Sequence, residues 1–473
     1  MVEPTRDDRV LTALSDGIGG PVGDRVRPAG WWTPVRVVLA FTALWFALGM
    51  VQKAPCYEDN WTDEQGRFVN MCYSDLTYLY VGRGFAERVW PYDDDPEVRA
   101  KYDTMEYPVG ISYFAYGAAW LTHWVTGADD VDGRAGVAAG DLAGDDQVMR
   151  ERRAYVAVTA VLLGGCALVA AWCLARVNPN RPWDAALFAL SPALLLNGLV
   201  NWDLLAVAFV GAALWAFARD RPALTGVLIG LGTAVKLYPL FLLGGVLVIL
   251  LRRRRYADLA AAFAAAAGAW LLANAPAFLS GPDQWKVFWQ FNSDRGADLG
   301  SLWLLWEQAG HAVGVDTINT VSWAFFGVWC LGVLALGLAA PDPPRLAQLG
   351  FLIVAGFLLV NKVYSPQYVL WLLPLAVLAR PRWRDQLIWQ AGEIFYFASV
   401  WWYLGHFLDP ADGGQPGFYW LAILVRIAAE LYLVTIVARD VMRPWRDPVD
   451  REPGPVDDDI PDIYTKGKEI LRR

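Results

Sequence analysis

The sequence contains little histidine, cysteine or charge. Its 473 residues include 3 histidines and 5 cysteines, and 19% of them are charged. No cysteine or histidine pattern has the spacing of a zinc site, and so few cysteines exclude a disulfide-rich scaffold. The low charged fraction excludes a disordered protein. The net charge of −8 argues against a nucleic-acid partner.

Apolar residues are in excess. They make up 56% of the chain, and the mean hydropathy is +0.30. Soluble domains are roughly 45–50% apolar, and here the surplus is gathered in blocks about as long as a bilayer is thick. We therefore predict an all-α polytopic membrane protein and exclude a soluble enzyme.

Twelve apolar blocks predict a bundle of about twelve transmembrane helices within residues 34–438. The blocks are 34–51, 154–175, 183–200, 204–218, 222–236, 238–251, 257–279, 319–340, 345–361, 366–379, 386–405 and 418–438. Residues 1–33 have no apolar core and no cleavage site, which predicts a cytoplasmic tail. Residues 439–473 are charged and Pro-rich, so we expect a disordered cytoplasmic tail.

Two topologies compete, and they differ at residues 108–126 and 222–251. If the first block does not cross and the second is two short spans, six basic connections lie in the cytoplasm, as the positive-inside bias requires. Against this model, Arg150, Arg152 and Arg153 then begin a span from outside. The rival model places Lys236 and Pro239 in the middle of a single span, where a charge is expensive. We favour the first model.

The favoured topology leaves a long first extracytoplasmic loop, 52–153, which carries interfacial helices, and a later one at 280–318. Long loops on a helical bundle are where function is expected. Cys56 and Cys72 flank a polar stretch of the first loop. Outside the membrane a disulfide between them is about as plausible as two free thiols.

Two carboxylates in the outer segments, Asp75 in the first loop and Asp203 at the start of a later span, are candidates for chemistry. Asp75 begins a predicted amphipathic helix that continues to Arg88, and with Ser74 it can simply cap that helix. It can also accept a proton from a hydroxyl group just above the membrane. Asp203 opens a later helix and permits the same two interpretations.

Two of the seven lysines share a sequence setting. Lys236 and Lys362 each begin a Lys-x-Tyr sequence that is followed closely by proline, at the outer end of a span. A lysine that only snorkels to the interface needs no such neighbours. We therefore favour contact with an anion, and at that depth the expected anion is a lipid phosphate.

These motifs occur in an order that resembles a known superfamily. Asp75 follows the first span, Glu106-Tyr107-Pro108 precedes an apolar helix, and Asp203 opens a later loop. Residues 226–239 read G-x-x-x-G-x-G-x-x-x-K-x-Y-P. Over about residues 34–405 the chain resembles the GT-C superfamily of polyprenyl-phosphate-sugar glycosyltransferases. It looks most like glycosyltransferase family 87 (GT87), typified by actinobacterial α-mannosyltransferases.

The resemblance implies a reaction. A sugar, with mannose preferred, would move from a polyprenyl-phosphate donor to a hydroxyl of an envelope glycolipid or polysaccharide. The site would face the outside of the cytoplasmic membrane, and the anomeric configuration would invert. Asp75 would be the general base. The phosphate would be held by Lys236, Lys362, Arg83 and Arg295. Other substrate contacts would come from Asp203, Glu106, Tyr107, Tyr238, Tyr364 and Gln367.

No metal or other cofactor is expected, because lysines can neutralise the phosphate. An arabinofuranosyltransferase of the same fold and a lipid or solute transporter remain as alternatives. A transporter predicts pseudo-symmetric halves and polar helices at mid-membrane. Here the polar residues collect at the outer ends of the helices, so we favour sugar transfer.

Overall fold

The chain is all-α in its computed structural model, which describes residues 8–17, 31–128, 131–411 and 413–449. Every regular element within these ranges is an α-helix or a short 3-10 helix, so the predicted fold class is confirmed. Five of the described helices are long and apolar enough to cross a membrane. These are Pro34–Glu58, Asp146–Val177, Tyr256–Ser280, Val315–Ala339 and Gly417–Met442.

The described α-helices are labelled in chain order. They are α1 (Arg9–Gly17), α2 (Pro34–Glu58), α3 (Gly66–Val69), α4 (Asp75–Gly82), α5 (Pro96–Lys101), α6 (Val109–Thr126), α7 (Ala139–Gly144), α8 (Asp146–Val177), α9 (Ala186–Ala189), α10 (Pro192–Asn197), α11 (Asp203–Ala218), α12 (Pro222–Val235), α13 (Leu242–Arg252), α14 (Tyr256–Ser280), α15 (Pro282–Asp294), α16 (Leu302–Gln308), α17 (Val315–Ala339), α18 (Leu346–Val360), α19 (Val369–Ala379), α20 (Trp383–Leu404) and α21 (Gly417–Met442).

The basic connections gather at one end of the bundle, which we call the arginine end. Arg380 at the end of α19 lies 2.8 Å from Asp385 of α20 and 2.8 Å from Asp440 of α21. Arg345 before α18 pairs with Asp447 after α21. Near the beginning of the described chain, Asp8 accepts a hydrogen bond from the backbone of α20 at the same end. The described parts of both tails therefore lie together, as the favoured topology expects.

Residues 222–251 form two helices rather than one. Helix α12 ends at Val235, Lys236 is extended (φ −151°, ψ 151°), and a 3-10 turn carrying Pro239 leads into α13. Asp220, just before α12, forms an ion pair with Arg255, just after α13. The two helices therefore also meet at the end away from Lys236. The segment is therefore a hairpin with Lys236 at its tip, and the rival single-helix model is wrong.

Glycines allow α12 and α14 to approach closely. A Cβ atom added at Gly226 would lie 2.0 Å from the carbonyl oxygen of Ala262, and one at Gly230 would lie 2.2 Å from that of Ala266. Both contacts advance by one turn in the same direction, so the two helices run parallel. Small residues at such positions let helix backbones pack in direct contact.

Helix α6 lies across one end of the bundle, opposite the arginine end. At its beginning, Tyr107 contacts Asp75. At its end, His123 contacts Tyr80 and accepts a hydrogen bond from Arg88, both of which belong to the same first loop. Because both ends of the helix contact this loop, α6 does not traverse the bundle, in agreement with the favoured model.

The first loop is tied to the end of α2. Cys56 and Cys72 form a disulfide with a Cα–Cα distance of 5.8 Å. Arg152 and Arg153 of α8 donate to the backbone carbonyls of Asn60 and Glu58. In the sequence these arginines argued against the favoured topology. In the structure they bind carbonyl groups at the end of α2.

One helix in this loop is shorter than predicted. The amphipathic pattern from Asp75 predicted a helix as far as Arg88, but α4 ends at Gly82. Gly84 has φ +73° and Arg88 has φ +57°, so the backbone leaves the helical region at Gly84 and again at the predicted last residue. A short 3-10 turn, Phe85–Glu87, fills the interval.

Candidate active site

A cavity of about 650 Å³ opens at the end of the bundle opposite the arginine end. It lies among the first loop, the tip of the α12–α13 hairpin, α15 and the connection between α18 and α19. Its polar wall is formed by Asp75, Glu106, Tyr107, Asn201, Lys236, Ser293, Arg295, Asn319, Lys362 and Gln367. Its apolar and aromatic wall includes Phe288, Trp289, Phe291, Trp323, Phe326, Phe357 and Trp371.

Backbone hydrogen bonds fix the position of Asp75. Its N–H donates to the carbonyl oxygen of Val200 at 2.8 Å. The Ser74 hydroxyl donates to the carbonyl oxygen of Leu199 at 2.7 Å and does not cap α4. The first residue of α4 is therefore attached to the loop that precedes α11.

The Asp75 carboxylate faces the cavity and has a raised pKa. Tyr107 donates to it from its hydroxyl at 2.8 Å, and the Tyr73 hydroxyl is a second donor. Burial raises the pKa of Asp75, and this effect exceeds the lowering by the two hydroxyls and by the nearby ammonium of Lys236. A carboxylate with a raised pKa is a better proton acceptor than an ordinary aspartate.

Lys236 lies beside Asp75 but its charge is already balanced. Its ammonium is 2.9 Å from Asp203, which is fully buried. The indole of Trp371 donates to the other oxygen of Asp203 at 2.8 Å. Asp203 was predicted to touch substrate, but it does not line the cavity. It contacts two residues that do, Lys236 and Trp371, and so fixes their positions.

The opposite wall of the cavity carries a cation that no described carboxylate pairs. Lys362 donates to the amide oxygen of Asn319 at 2.6 Å and to the carbonyl oxygen of Ser293 at 3.1 Å. Both acceptors are neutral. Burial and the neighbouring Arg295 lower the pKa of Lys362. Arg295 pairs with Asp298, and Asp294 also lies near Lys362, but neither carboxylate lines the cavity. The cavity surface at this wall therefore carries two cations, which favour an anion.

Arg83 reaches the cavity only through another residue. It forms an ion pair of 2.8 Å with Glu106, and Glu106 lines the cavity while Arg83 does not. A direct phosphate contact was predicted for Arg83, and the structure places this side chain outside the cavity lining. Its position allows it to balance the charge of Glu106 near Asp75.

The two tyrosines of the Lys-x-Tyr sequences do not face the cavity. Tyr238 is fully buried and stacks on Trp371 with ring centroids 4.8 Å apart. Tyr364 is fully buried, donates to Glu393 at 2.9 Å and lies under the guanidinium of Arg426. Substrate contacts were predicted for both tyrosines, and the structure places neither ring in the cavity lining. Gln367 does line the cavity.

Sequence reasoning missed three polar residues of the wall, Asn201, Ser293 and Asn319. Asn201 is two positions before Asp203, in a loop whose only selected residue was the carboxylate. Asn319 bonds to Lys362 from 43 residues away, and no local pattern indicates such a contact. No group of three or more His, Cys, Asp or Glu side chains suited to a metal ion occurs among the residues that the structure describes.

Comparison with known proteins finds one family match. Residues 147–361 match the model of glycosyltransferase family 87. The chain is a membrane glycosyltransferase, and over this region, a little under half of its length, it is similar to family 87. A search of curated proteins finds no match. The matched region of this glycosyltransferase contains Asp203, Lys236 and Arg295, whereas Asp75 and Tyr107 precede it. The expected resemblance and the transferase activity are thus confirmed.

Proposed function

We propose that this glycosyltransferase moves a sugar, preferably mannose, from a polyprenyl-phosphate donor to a hydroxyl of an envelope glycolipid or polysaccharide. The observation that carries the proposal is that Asp75 shares one cavity with Lys362 and Arg295. Asp75 lies on one wall and the two cations, which form the proposed phosphate corner, lie on another. This arrangement allows the acceptor hydroxyl and the leaving phosphate to lie on opposite faces of the sugar.

In the proposed step, Asp75 accepts the proton of the acceptor hydroxyl. The acceptor oxygen forms a bond to the anomeric carbon as the bond from that carbon to the phosphate oxygen breaks. The electron pair of the broken bond leaves with the phosphate, and Lys362 and Arg295 stabilise this charge. Attack from the face opposite the phosphate inverts the anomeric configuration.

The aromatic wall supports a lipid-linked donor. Phe288, Phe326 and Phe357 line the cavity together with Trp323 of α17, a helix that also exposes Val321, Phe325 and Val328. An apolar surface that runs from the cavity to the outer face of the bundle suits a prenyl chain held partly in the bilayer. A nucleotide would place a polar ring and ribose against these phenyl groups.

The sidedness follows from charge and cysteine chemistry. The arginine end has the excess of basic connections expected of a cytoplasmic face. The cavity is at the other end, next to the disulfide between Cys56 and Cys72, and such bonds persist outside the cytosol. We therefore propose that the site faces the extracytoplasmic side of the cytoplasmic membrane.

The test is transfer by the purified protein in lipid nanodiscs. Radiolabelled polyprenyl-phosphate mannose, polyprenyl-phosphate arabinofuranose and a nucleotide-linked mannose are each supplied with envelope glycolipids and polysaccharides. The proposal expects transfer from polyprenyl-phosphate mannose and a product of inverted configuration by NMR. Transfer from the nucleotide sugar alone, or retention of configuration, would contradict it.

A further inference from the structure

Two amide side chains in the cavity wall are almost fully buried, and each has a hydrogen-bonding group that no described residue pairs. Asn201 is 2% exposed and Gln367 is 6% exposed. Both line the cavity that contains Asp75. Buried polar groups are nearly always hydrogen-bonded, so a free one that faces a cavity indicates a ligand group to be bound there.

The orientation of the Asn201 amide is fixed by its own loop. Its Oδ1 accepts a hydrogen bond of 3.0 Å from the backbone N–H of Asp203. The Nδ2 group therefore points away from that bond as a donor. It makes no hydrogen bond to any residue within the described ranges.

Gln367 offers the complementary group. Its Oε1 is buried and accepts no hydrogen bond from the described part of the chain. The residue lies on the 3-10 turn Pro366–Tyr368, which packs against α10, the helix that leads into the loop of Asn201. A free donor and a free acceptor are thus carried by neighbouring elements.

Aromatic faces complete the surroundings. Tyr368 and Trp371 both line the cavity and stack on each other with ring centroids 3.9 Å apart. Gln367 follows Lys362 by only five residues, so its turn is continuous with the proposed phosphate corner. A sugar attached to that phosphate would lie within the same part of the cavity.

We propose that Asn201 and Gln367 form a subsite that binds hydroxyl groups of the transferred sugar. The Asn201 amide donates to one hydroxyl oxygen, and the Gln367 carbonyl oxygen accepts from a hydroxyl hydrogen. This subsite rests on the proposed polyprenyl-phosphate donor, and it assigns the recognition of the sugar to residues separate from those that bind the phosphate.

The test compares two ligands that differ only in the sugar. Binding of prenyl-phosphate mannose and of prenyl phosphate is measured on wild type, Asn201→Ser and Gln367→Met. Serine keeps an oxygen able to cap the backbone of Asp203, and methionine keeps the shape of glutamine. The loss of one net hydrogen bond predicts about a three- to tenfold weaker binding of prenyl-phosphate mannose for each variant.

Binding of sugar-free prenyl phosphate is expected to be unchanged in both variants. Asn70→Ala, an exposed asparagine away from the cavity, serves as the control and is expected to bind both ligands like wild type. Unchanged binding of the mannosyl ligand, or an equal loss for both ligands, would overturn the subsite while leaving the proposed function in place. A wild-type protein that binds neither ligand would overturn both.

Discussion

The Lys236 ammonium and the Asp203 carboxylate lie 2.9 Å apart and form an ion pair at the wall of the cavity. The pair balances its own charge before any substrate arrives. Lys362, on the other wall, bonds only to neutral oxygens among the described residues. This difference separates two lysines that look equivalent in the sequence, and it leads to different predictions for each.

Replacement of Lys236 is predicted to cost stability. Lys236→Met leaves the buried Asp203 carboxylate unpaired, and removal of one partner of a buried pair typically costs about 3–5 kcal/mol. The double variant Lys236→Met/Asp203→Asn removes both charges and is expected to recover most of the loss. Thermal unfolding in detergent measures both. A double variant as unstable as the single one would show that the pair is not the source of the effect.

Replacement of Lys362 is predicted to weaken donor binding without unfolding the protein. Lys362→Ala removes a charge-assisted contact to phosphate, which corresponds to about a ten- to hundredfold loss of affinity for prenyl phosphate. Lys286→Ala is the matched control, because that half-exposed lysine pairs with Asp283 away from the cavity wall. Equal affinities of the Lys362 variant and the control would remove Lys362 from the phosphate site.

The pH dependence of transfer is predicted to follow the pKa of Asp75. A general base must be deprotonated, so kcat/KM rises with pH through that pKa, which lies above the ordinary aspartate value because of burial. Tyr107→Phe removes a hydrogen bond to the ionised form and moves the rise to higher pH. Glu106→Gln removes a nearby negative charge and moves it to lower pH. Shifts in the same direction for both variants would contradict this assignment.

The disulfide is predicted to stabilise the first loop. It closes a segment with a sequence separation of 16, for which the chain-entropy estimate is about 3 kcal/mol. Cys56→Ala/Cys72→Ala should therefore lower the unfolding temperature, whereas Cys166→Ala, within α8, should leave the bond intact. Mass spectrometry of the non-reduced protein detects the bond. Its absence from wild type purified from membranes would contradict both the loop and the proposed sidedness.

Close packing of α12 on α14 is predicted to exclude a side chain at Gly230. Gly230→Ala forces the two backbones apart and is expected to cost about 1–3 kcal/mol, as overpacked cores do. Gly268→Ala on α14 has open space around its added methyl group and should be neutral or slightly stabilising. Comparable unfolding temperatures for the two variants would show that the helices separate at little cost.

The sequence predicts most of the helical segments because their length and composition are local properties. The predicted span 183–200 is an exception, since it divides into a 3-10 turn and the short helices α9 and α10, with Pro192 at the start of α10. The break at Lys236 was predictable since a charged residue and Pro239 interrupt an apolar run. The direction of a side chain was not predictable in the same way. Tyr364 belongs to the core because of Glu393 and Arg426, which are distant in the chain, and only the folded structure brings these groups together.

The residues of the candidate site likewise differ in whether their roles depend on local sequence or on tertiary contacts. Asp75 was selected because a carboxylate that follows the first span and precedes the Glu106-Tyr107-Pro108 motif resembles the base of the family. The partners that define its chemistry, Tyr73 and Tyr107, and the charge balance of Lys236 depend on tertiary contacts. The same holds for Asn319, whose bond to Lys362 joins helix α17 to the loop after α18.

The most direct test of the central claim is the turnover of Asp75→Asn with polyprenyl-phosphate mannose. Asparagine keeps the shape of the side chain but cannot accept the acceptor proton, so we expect turnover to fall by about a hundredfold or more, the scale of general-base catalysis. Prenyl-phosphate binding and the unfolding temperature should stay near wild type. Turnover equal to that of wild type would contradict the role of Asp75 as the base.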